Sequence, residues 1–434
     1  MVFYSYMKAR ILYDQLTSSE RKTFRLHLLY SIVEGMMTGA IVLNEYIFIK
    51  ALNGSNYQLS VLFQTSVIVL LFSVLFNELI RRTANKKRML IQVALLTHAP
   101  LLIMLAFPGS QTLPTGNSYF HYIFLFIFFA YFLSRPLVYP TINLFLKTNY
   151  REEHFGSLYS LGTSLQKITM LLTAFAFGIL LDYDPYIYRF VYPFLGVLGV
   201  ISIIWLSKIK LPEMPQKEFR KGLKEAIKGS FQRMVEILKH NRPYRDYEMG
   251  FILYGFAFMS TKAVITLFYD VELELNYTSV AFYQNIFNVL AIILLPVFGR
   301  LIGKIDPRRF VNINYTALAL MLVAIAATEY LPAYFMLWQI KIYYSLIAAV
   351  LFQGIFVSTM SLAWYIGSAY FCTKEEAGDY QSVHLTLTGA RGIFAPLIGI
   401  FFYEHIGFTG TFILGILALV AAIILMHWSI KNRE

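Results

Sequence analysis

Glu34, Glu45, Arg135, Lys167, Lys262 and Arg391 stand inside long apolar runs, where an ionised side chain is costly unless it meets a partner or water. Covalent chemistry is not signalled around them. The sequence shows no Gly-rich phosphate loop, no paired catalytic carboxylates, no zinc-spaced histidines and no nucleophile elbow. The single cysteine, Cys372, excludes an intrachain disulfide and a cysteine-cluster metal site. Ionic recognition remains. A guanidinium grips a carboxylate or phosphate through two parallel hydrogen bonds, a lysine acts as a mobile point charge, and a buried carboxyl can carry a proton. The chain is therefore read as a non-enzyme that needs neither metal nor cofactor.

Arg135 lies within "AYFLSRPLVYPTI" (130–142). Tyr131 and Tyr139 stand four residues to either side, on the same helical face, and Pro136 and Pro140 remove backbone donors and predict a kink there. Lys167 extends a polar stripe of Gly156, Ser160 and Thr163, and Arg391 one of Tyr380, His384 and Thr388. A shift of 224 residues superimposes Lys167 on Arg391. Arg135, Lys167 and Arg391 are thus expected to converge on the anionic group of a small solute. The competing reading makes Arg135 or Lys167 the structural partner of Glu34. Glu34, followed at helical spacing by Thr38, Ile41 and Glu45, is the expected proton carrier, with Glu45 and His384 as further candidates, while His98 reads as a packed core histidine. Gln64 and Gln284 occupy duplicated positions, with Asn285 and Asn288 beside the second. Lys262, Tyr254, Trp364, Tyr365 and Gln353 complete the expected solute-facing set.

The elements that hold these groups follow from composition. Of 434 residues, 57% are hydrophobic and 14% charged, and the mean hydropathy is +0.57, far too apolar for a water-soluble globule. Apolar stretches of roughly 20 residues, each able to cross a bilayer as a helix, recur throughout. Twelve spans are predicted: 25–50, 57–80, 89–107, 119–147, 155–181, 187–207, 247–270, 277–300, 310–329, 340–371, 379–403 and 407–428. Alternate loops are basic, carrying Arg81, Arg82, Lys86, Lys87 and Arg88, then Lys147 and Arg151, then Arg300, Lys304, Arg308 and Arg309, then Lys374. The others hold Asp182, Asp184, Asp270, Glu272, Glu274, Glu329 and Glu404, with Lys50 and Arg189 as mild exceptions. The positive-inside rule puts the basic loops and both termini in the cytoplasm. The net charge of +12 is then a topology signal, and no nucleic-acid partner is expected. Residues 208–246 form one long basic insertion in which Leu223, Ile227, Met234, Ile237 and Leu238 recur near helical spacing, as in an amphipathic surface helix. It divides the chain into a bundle over 1–207, including a short cytoplasmic segment 1–24, and a second over 247–434.

The halves repeat. "NYQLSVLFQ" (56–64) and "NYTSVAFYQ" (276–284) both open an even-numbered span, and those spans end in "NELIRRTANKKR" (77–88) and "GRLIGKIDPRR" (299–309). The last segment resembles the signature loop of the major facilitator superfamily at Gly299, Gly303, Lys304, Asp306, Arg308 and Arg309; the first-half copy departs from it at Asn77 and Ala84. The resemblance implies an all-α fold of two pseudo-symmetric six-helix bundles, with the third, sixth, ninth and twelfth helices peripheral and a secondary transporter as its use. It also implies that Arg300, Asp306 and Arg308 lock one face shut. The expected function is transport of a small, anionic organic solute by alternating access, with proton coupling. A multidrug-type exporter of aromatic or cationic compounds is the alternative, and a receptor or lipid-handling protein a second. A monomer in the plasma membrane, the inner membrane of a bacterium, is expected, with a small-molecule substrate, a coupling proton or ion, and the bilayer as partners.

Overall fold

The computed structural model describes residues 16–72, 76, 79–80, 82–83, 85–109, 118–209, 223–373 and 376–433. The segment 1–15, Asn77, Arg81, Ala84, residues 210–222 and Lys374 lie outside them, as do the side chains of Tyr139, Lys147, Gly156, Ser160, Leu223, Ile227 and Tyr365. The chain is a helical, multi-pass membrane protein.

The first bundle begins with α1 (Ser18–Ile41), whose start is fixed by a reciprocal cap: Thr17 Oγ1 accepts from the Glu20 amide and Glu20 accepts from the Thr17 amide. A break at Val42–Leu43 leads into α2 (Asn44–Lys50), completing the first crossing. Ser55 and Gln58 cap α3 (Asn56–Ile68) in the same way, and the helix tightens to 3₁₀ over Val69–Phe72. α4 (Lys86–His98) becomes 3₁₀ over Ala99–Ala106, where Pro100 has no amide to donate. The fourth crossing is divided into α5 (Tyr119–Phe132) and α6 (Arg135–Asn149), because Pro136 cannot donate to the Phe132 carbonyl. α7 (Glu152–Tyr183) and α8 (Tyr188–Leu206) close the bundle.

α9 (Leu223–His240) carries the basic insertion. Its Met234, Ile237 and Leu238 pack on the protein core, so the amphipathic face docks on the second bundle rather than lying only on lipid. Asn241 caps α10 (Arg242–Leu267) and also donates to the Phe371 carbonyl. A π turn (Phe268–Glu272), α11 (Tyr277–Ile302) and α12 (Pro307–Tyr330) follow. The tenth crossing was expected from residue 340. The structure instead forms a hairpin of β1 (Tyr334–Leu337) and β2 (Ile340–Tyr343), paired Tyr334 to Tyr343 and Leu337 to Ile340. Trp338 takes a positive φ of 55° at the turn, and the alternating, β-branched Ile-Lys-Ile run suits a strand. The helix itself is α13 (Tyr344–Ile366), with a 3₁₀ turn over Ser368–Phe371. α14 (Ala377–Gly392) and α15 (Ala395–Asn432) end the chain, and α15 breaks at Gly407, whose φ of +71° only glycine adopts easily.

Ten stretches of the described residues are long and apolar enough to span a membrane. One of them, Asp379–Asn432, runs through the Gly407 break and is long enough for two crossings, and Asn56–Phe72 adds a shorter apolar helix. The arrangement is consistent with twelve.

Lipid gives helices little hydrophobic reason to associate, so close backbone approach has to do the work. Gly35 and Gly39 press α1 against the Gln166 and Met170 carbonyls of α7, and Gly399 presses α15 against the Ser260 backbone of α10. The same contact thus joins the first and fifth crossings and the seventh and eleventh, with the glycine on opposite partners. A Cβ at Gly399 would overlap the Ser260 carbonyl, which is backbone and cannot rotate away. Gly399→Ala is therefore expected to destabilise by about 1–3 kcal/mol. Thermal unfolding in detergent would show this against Gly229→Ala, whose Cβ meets nothing within 4 Å and should leave the midpoint unchanged or slightly raised.

Candidate functional site

The bundles meet at the acidic end and along the middle of their crossings. Lys50 at the end of α2 reaches Asp270 of the π turn at 2.9 Å and donates to the Leu275 carbonyl at 2.7 Å. Asp182 at the end of α7 accepts from the Tyr277 and Thr278 amides at 2.8 and 2.9 Å, capping α11 from the other bundle. Deeper, Ser60 donates to the Pro396 carbonyl, Gln64 to the Ile393 carbonyl and Asn285 to the Leu171 carbonyl. Gln64 and Asn285 thus hold helices of opposite bundles together.

Inside this closed end is a cavity lined by Tyr46 of the first bundle and by Lys262, Tyr283, Gln284, Phe287 and Gln353 of the second. The Lys262 ammonium stands 5.9 Å from the ring centroids of Phe63 and Phe258, one from each bundle. Glu45 acts on Lys262 electrostatically across the boundary, and Tyr46 shares a hydrogen bond with Thr266. The cavity therefore offers one cation, two amides and phenolic hydroxyls between aromatic walls. That set suits an anionic group with several polar contacts, and at about 40 Å³ the cavity in this closed state has room for little more than such a group until the helices around it part.

The other expected cations sit elsewhere. Arg135 stacks over Phe132 at 4.7 Å and hydrogen-bonds the buried Tyr131 hydroxyl, which also lies in the field of the buried Glu34. Tyr131 packs edge-on against His98, and His98 is buried, with Thr97 2.9 Å away. Arg391, only 3% exposed, lies outside the lining of the Lys262 cavity. Its guanidinium fills the recess left by Gly255, donates to the Phe251 carbonyl and stands 5.8 Å over Tyr254, which stacks on Tyr315. Glu248 acts on Arg391 electrostatically and lies 3.0 Å from His384 Nδ1. The His384 ring is held edge-on between Phe251 and Trp364. Lys167 is exposed on the face of α7 that also carries Leu171, the residue bonded to Asn285. Three separate groupings are thus formed, around Arg135, Arg391 and Lys262.

At the basic end, Asp306 caps α12 and binds Arg308 at 2.8 Å. Partial burial works to raise the Asp306 carboxyl, but the hydrogen bonds and charge of Arg308 outweigh it and hold the group below the usual carboxylate range. Arg308 also donates to the Ser429 and Arg433 carbonyls, and Ser429 donates to Asp246. These bonds tie the ninth crossing to the twelfth and, through Asp246, to the seventh within the second bundle, and Arg300 is exposed.

Sequence reading missed Glu248, Asp182 and the Lys50–Asp270 pair. Glu248 stands one residue inside the expected span 247–270, at the end where a charge reads as interfacial rather than buried. The others stand at loop ends, and their partners come from the opposite half of the chain.

The sequence profile described as Major Facilitator Superfamily matches residues 26–340. No curated protein matches the chain at a significant level. Among solved structures, a variant of the nucleoside transporter NupG superposes with a TM-score of 0.68 at 11% identity, covering 96% of this chain and all of its own. A variant of the peptide transporter POT gives 0.68 at 14% identity, covering 94% of each chain. The xylose transporter XylE from E. coli gives 0.60 at 12% identity, covering 96% and 100%. At these identities the likeness is one of fold.

Proposed function

The chain belongs to the major facilitator superfamily, and from that premise we propose that it carries a small organic solute with an anionic group through the Lys262 cavity by alternating access. The observation that carries this reading is the position of the cavity: it lies in the second bundle where Tyr46 of the first reaches it, below an end where Lys50–Asp270 and Asp182 hold the bundles together. The closed acidic end leaves the basic, cytoplasmic end as the side toward which the site faces. Transport then requires the acidic end to part and the basic end to close around the same site. The Lys50–Asp270 pair keeps only 23% and 20% of its side-chain surface exposed, and parting the bundles rehydrates both charges, which offsets the lost attraction and lets the latch open in every cycle.

Lys262 meets the anionic group. Glu45 competes with the solute for that ammonium, and a proton on Glu45 removes the competition. Solute binding and protonation then favour one another, which is how a proton gradient drives the solute. Glu34 and His384 belong to the two buried groupings, where they serve the packing of their own bundles. The neighbours named for nucleosides, peptides and xylose show that this fold takes different cargoes, so the argument for an anion rests on the cavity alone.

A thermal-shift screen of purified protein tests it, setting organic carboxylates and phosphates against lipophilic cations. A ligand at 100 times its Kd stabilises by about 2.7 kcal/mol. One anion class is expected to give such a shift in the wild type and to lose it in Lys262→Gln. Stabilisation by lipophilic cations alone, unchanged in the variant, would put the exporter reading first.

A further inference from the structure

We infer that the β1–β2 hairpin is an interfacial anchor, seated among the lipid headgroups on the acidic face of the membrane, that braces the segment closed by Lys50. β1 is exposed along its whole length, and Tyr334, Phe335, Met336 and Leu337 present 40–52% of their surface, with Trp338 at the tip 90% exposed. A charge-free, aromatic strand of this kind is poorly suited to water. Its composition fits the headgroup boundary, where Trp and Tyr rings lie half in apolar and half in polar surroundings.

Three features argue for lipid. β1 continues directly from α12, which exposes Leu320 and Val323 along its length and Tyr330 and Leu331 at its end. After the hairpin, α13 exposes Tyr344, Ile347 and Leu351, so the apolar flank is continuous with the two crossings on either side. Among the described residues the outer edge of the strand is unpaired. Free amides and carbonyls would be prohibitive in the hydrocarbon core, but headgroups and their water can satisfy them, which fixes the depth at the boundary.

β2 faces the other way. The Tyr283 hydroxyl donates to the Lys341 carbonyl and accepts from the Tyr343 amide, while Tyr343 and Lys341 donate to the Leu273 carbonyl. Asn276 donates to the Gln339 carbonyl. The held segment, Leu273–Asn276, contains Glu274 at a positive φ of 46° and Leu275, whose carbonyl accepts from Lys50. Lys341, the hairpin's one charge, points to this segment, near Glu274. The hairpin thus links the lipid boundary to the residues that Lys50 clasps.

The test uses full-length protein in vesicles of phosphatidylethanolamine and phosphatidylglycerol, with Trp205, Trp364 and Trp428 replaced by Phe so that Trp338 alone emits. Lipid brominated near the headgroup end of its chains is expected to quench Trp338 by about half or more, with aqueous iodide far less effective. Should the triple variant fold poorly, the drop in bromolipid quenching from wild type to Trp338→Phe reads the same contribution. Efficient iodide quenching without bromolipid quenching would overturn the proposal and place the strand in water. Disulfide-linked dimers of Trp338→Cys in a Cys372→Ser background would overturn it differently, making the edge a pairing surface for a second copy.

Discussion

Arg391→Leu is expected to lose about 3–5 kcal/mol of stability, seen as a collapse of the thermal midpoint or as protein that no longer purifies intact. The cause is what the side chain leaves behind. Arg391 is buried with Glu248, the Phe251 carbonyl and the face of Tyr254, and among the described residues the acid then keeps the His384 ring and the Tyr244 hydroxyl as polar neighbours. Removing one member of a buried ion group is costlier than removing the group, because an uncompensated charge remains. Arg391→Leu combined with Glu248→Leu should accordingly recover part of the loss, and the recovery measures the coupling between them. Lys167→Leu is the control. The residue is exposed, its ammonium is only partly shielded from water and among the described residues it holds no buried acid, so the change should stay within about 1 kcal/mol. The comparison separates the two roles that sequence alone left open for these cations. A stable Arg391→Leu protein that had lost its anion-induced thermal shift would restore Arg391 to the recognition site and sink the structural account.

The difference between Lys167 and Arg391 also shows where sequence reading stops. Spans were legible because a 20-residue apolar run has one favourable outcome in a bilayer, but the first helix starts at Ser18 rather than 25, since the Thr17–Glu20 cap carries it past the apolar run. The break at Leu133–Ser134 was legible for the same reason: Pro136 acts on its own helix. Internal repetition suggested that Lys167 and Arg391 were equivalent. They are equivalent in register, yet Arg391 lies in a recess that Gly255 opens on the neighbouring helix, and Lys167 is left exposed on its own. Whether a glycine faces a cation depends on helix rotation, which a sequence pattern fixes only to within a face. Lys262 was seen but given no special weight, since its partners Phe63, Phe258 and Glu45 come from three different crossings. The hairpin was absorbed into a helix because Ile340–Tyr343 is apolar enough to extend the tenth span, and a run of four residues cannot separate a period of 2 from one of 3.6.

Joining residues 50 and 270 covalently should stop transport. With Cys372→Ser as background, Lys50→Cys and Asp270→Cys place two thiols where a 2.9 Å ion pair now closes the acidic end, within reach of a short bifunctional thiol reagent. Alternating access requires this end to part in every cycle, so a link that cannot lengthen holds the cavity on the basic side. Solute exchange across liposomes is expected to fall at least about tenfold on cross-linking and to return when the link is reduced, since chemistry at the latch leaves the Lys262 site untouched. The two cysteines without reagent should exchange solute nearly normally, because removing both partners together leaves no uncompensated charge and Asp182 still caps α11. Adding Asp182→Ala to the uncross-linked protein removes that second clasp, a cap of about 1 kcal/mol, and should shift the population toward states open at the acidic end, read as faster labelling of the thiol at position 270. Full exchange by protein shown to be cross-linked would mean that the acidic end does not move during transport. The cavity would then need another route, and the closed end seen here would be a fixed floor rather than a gate.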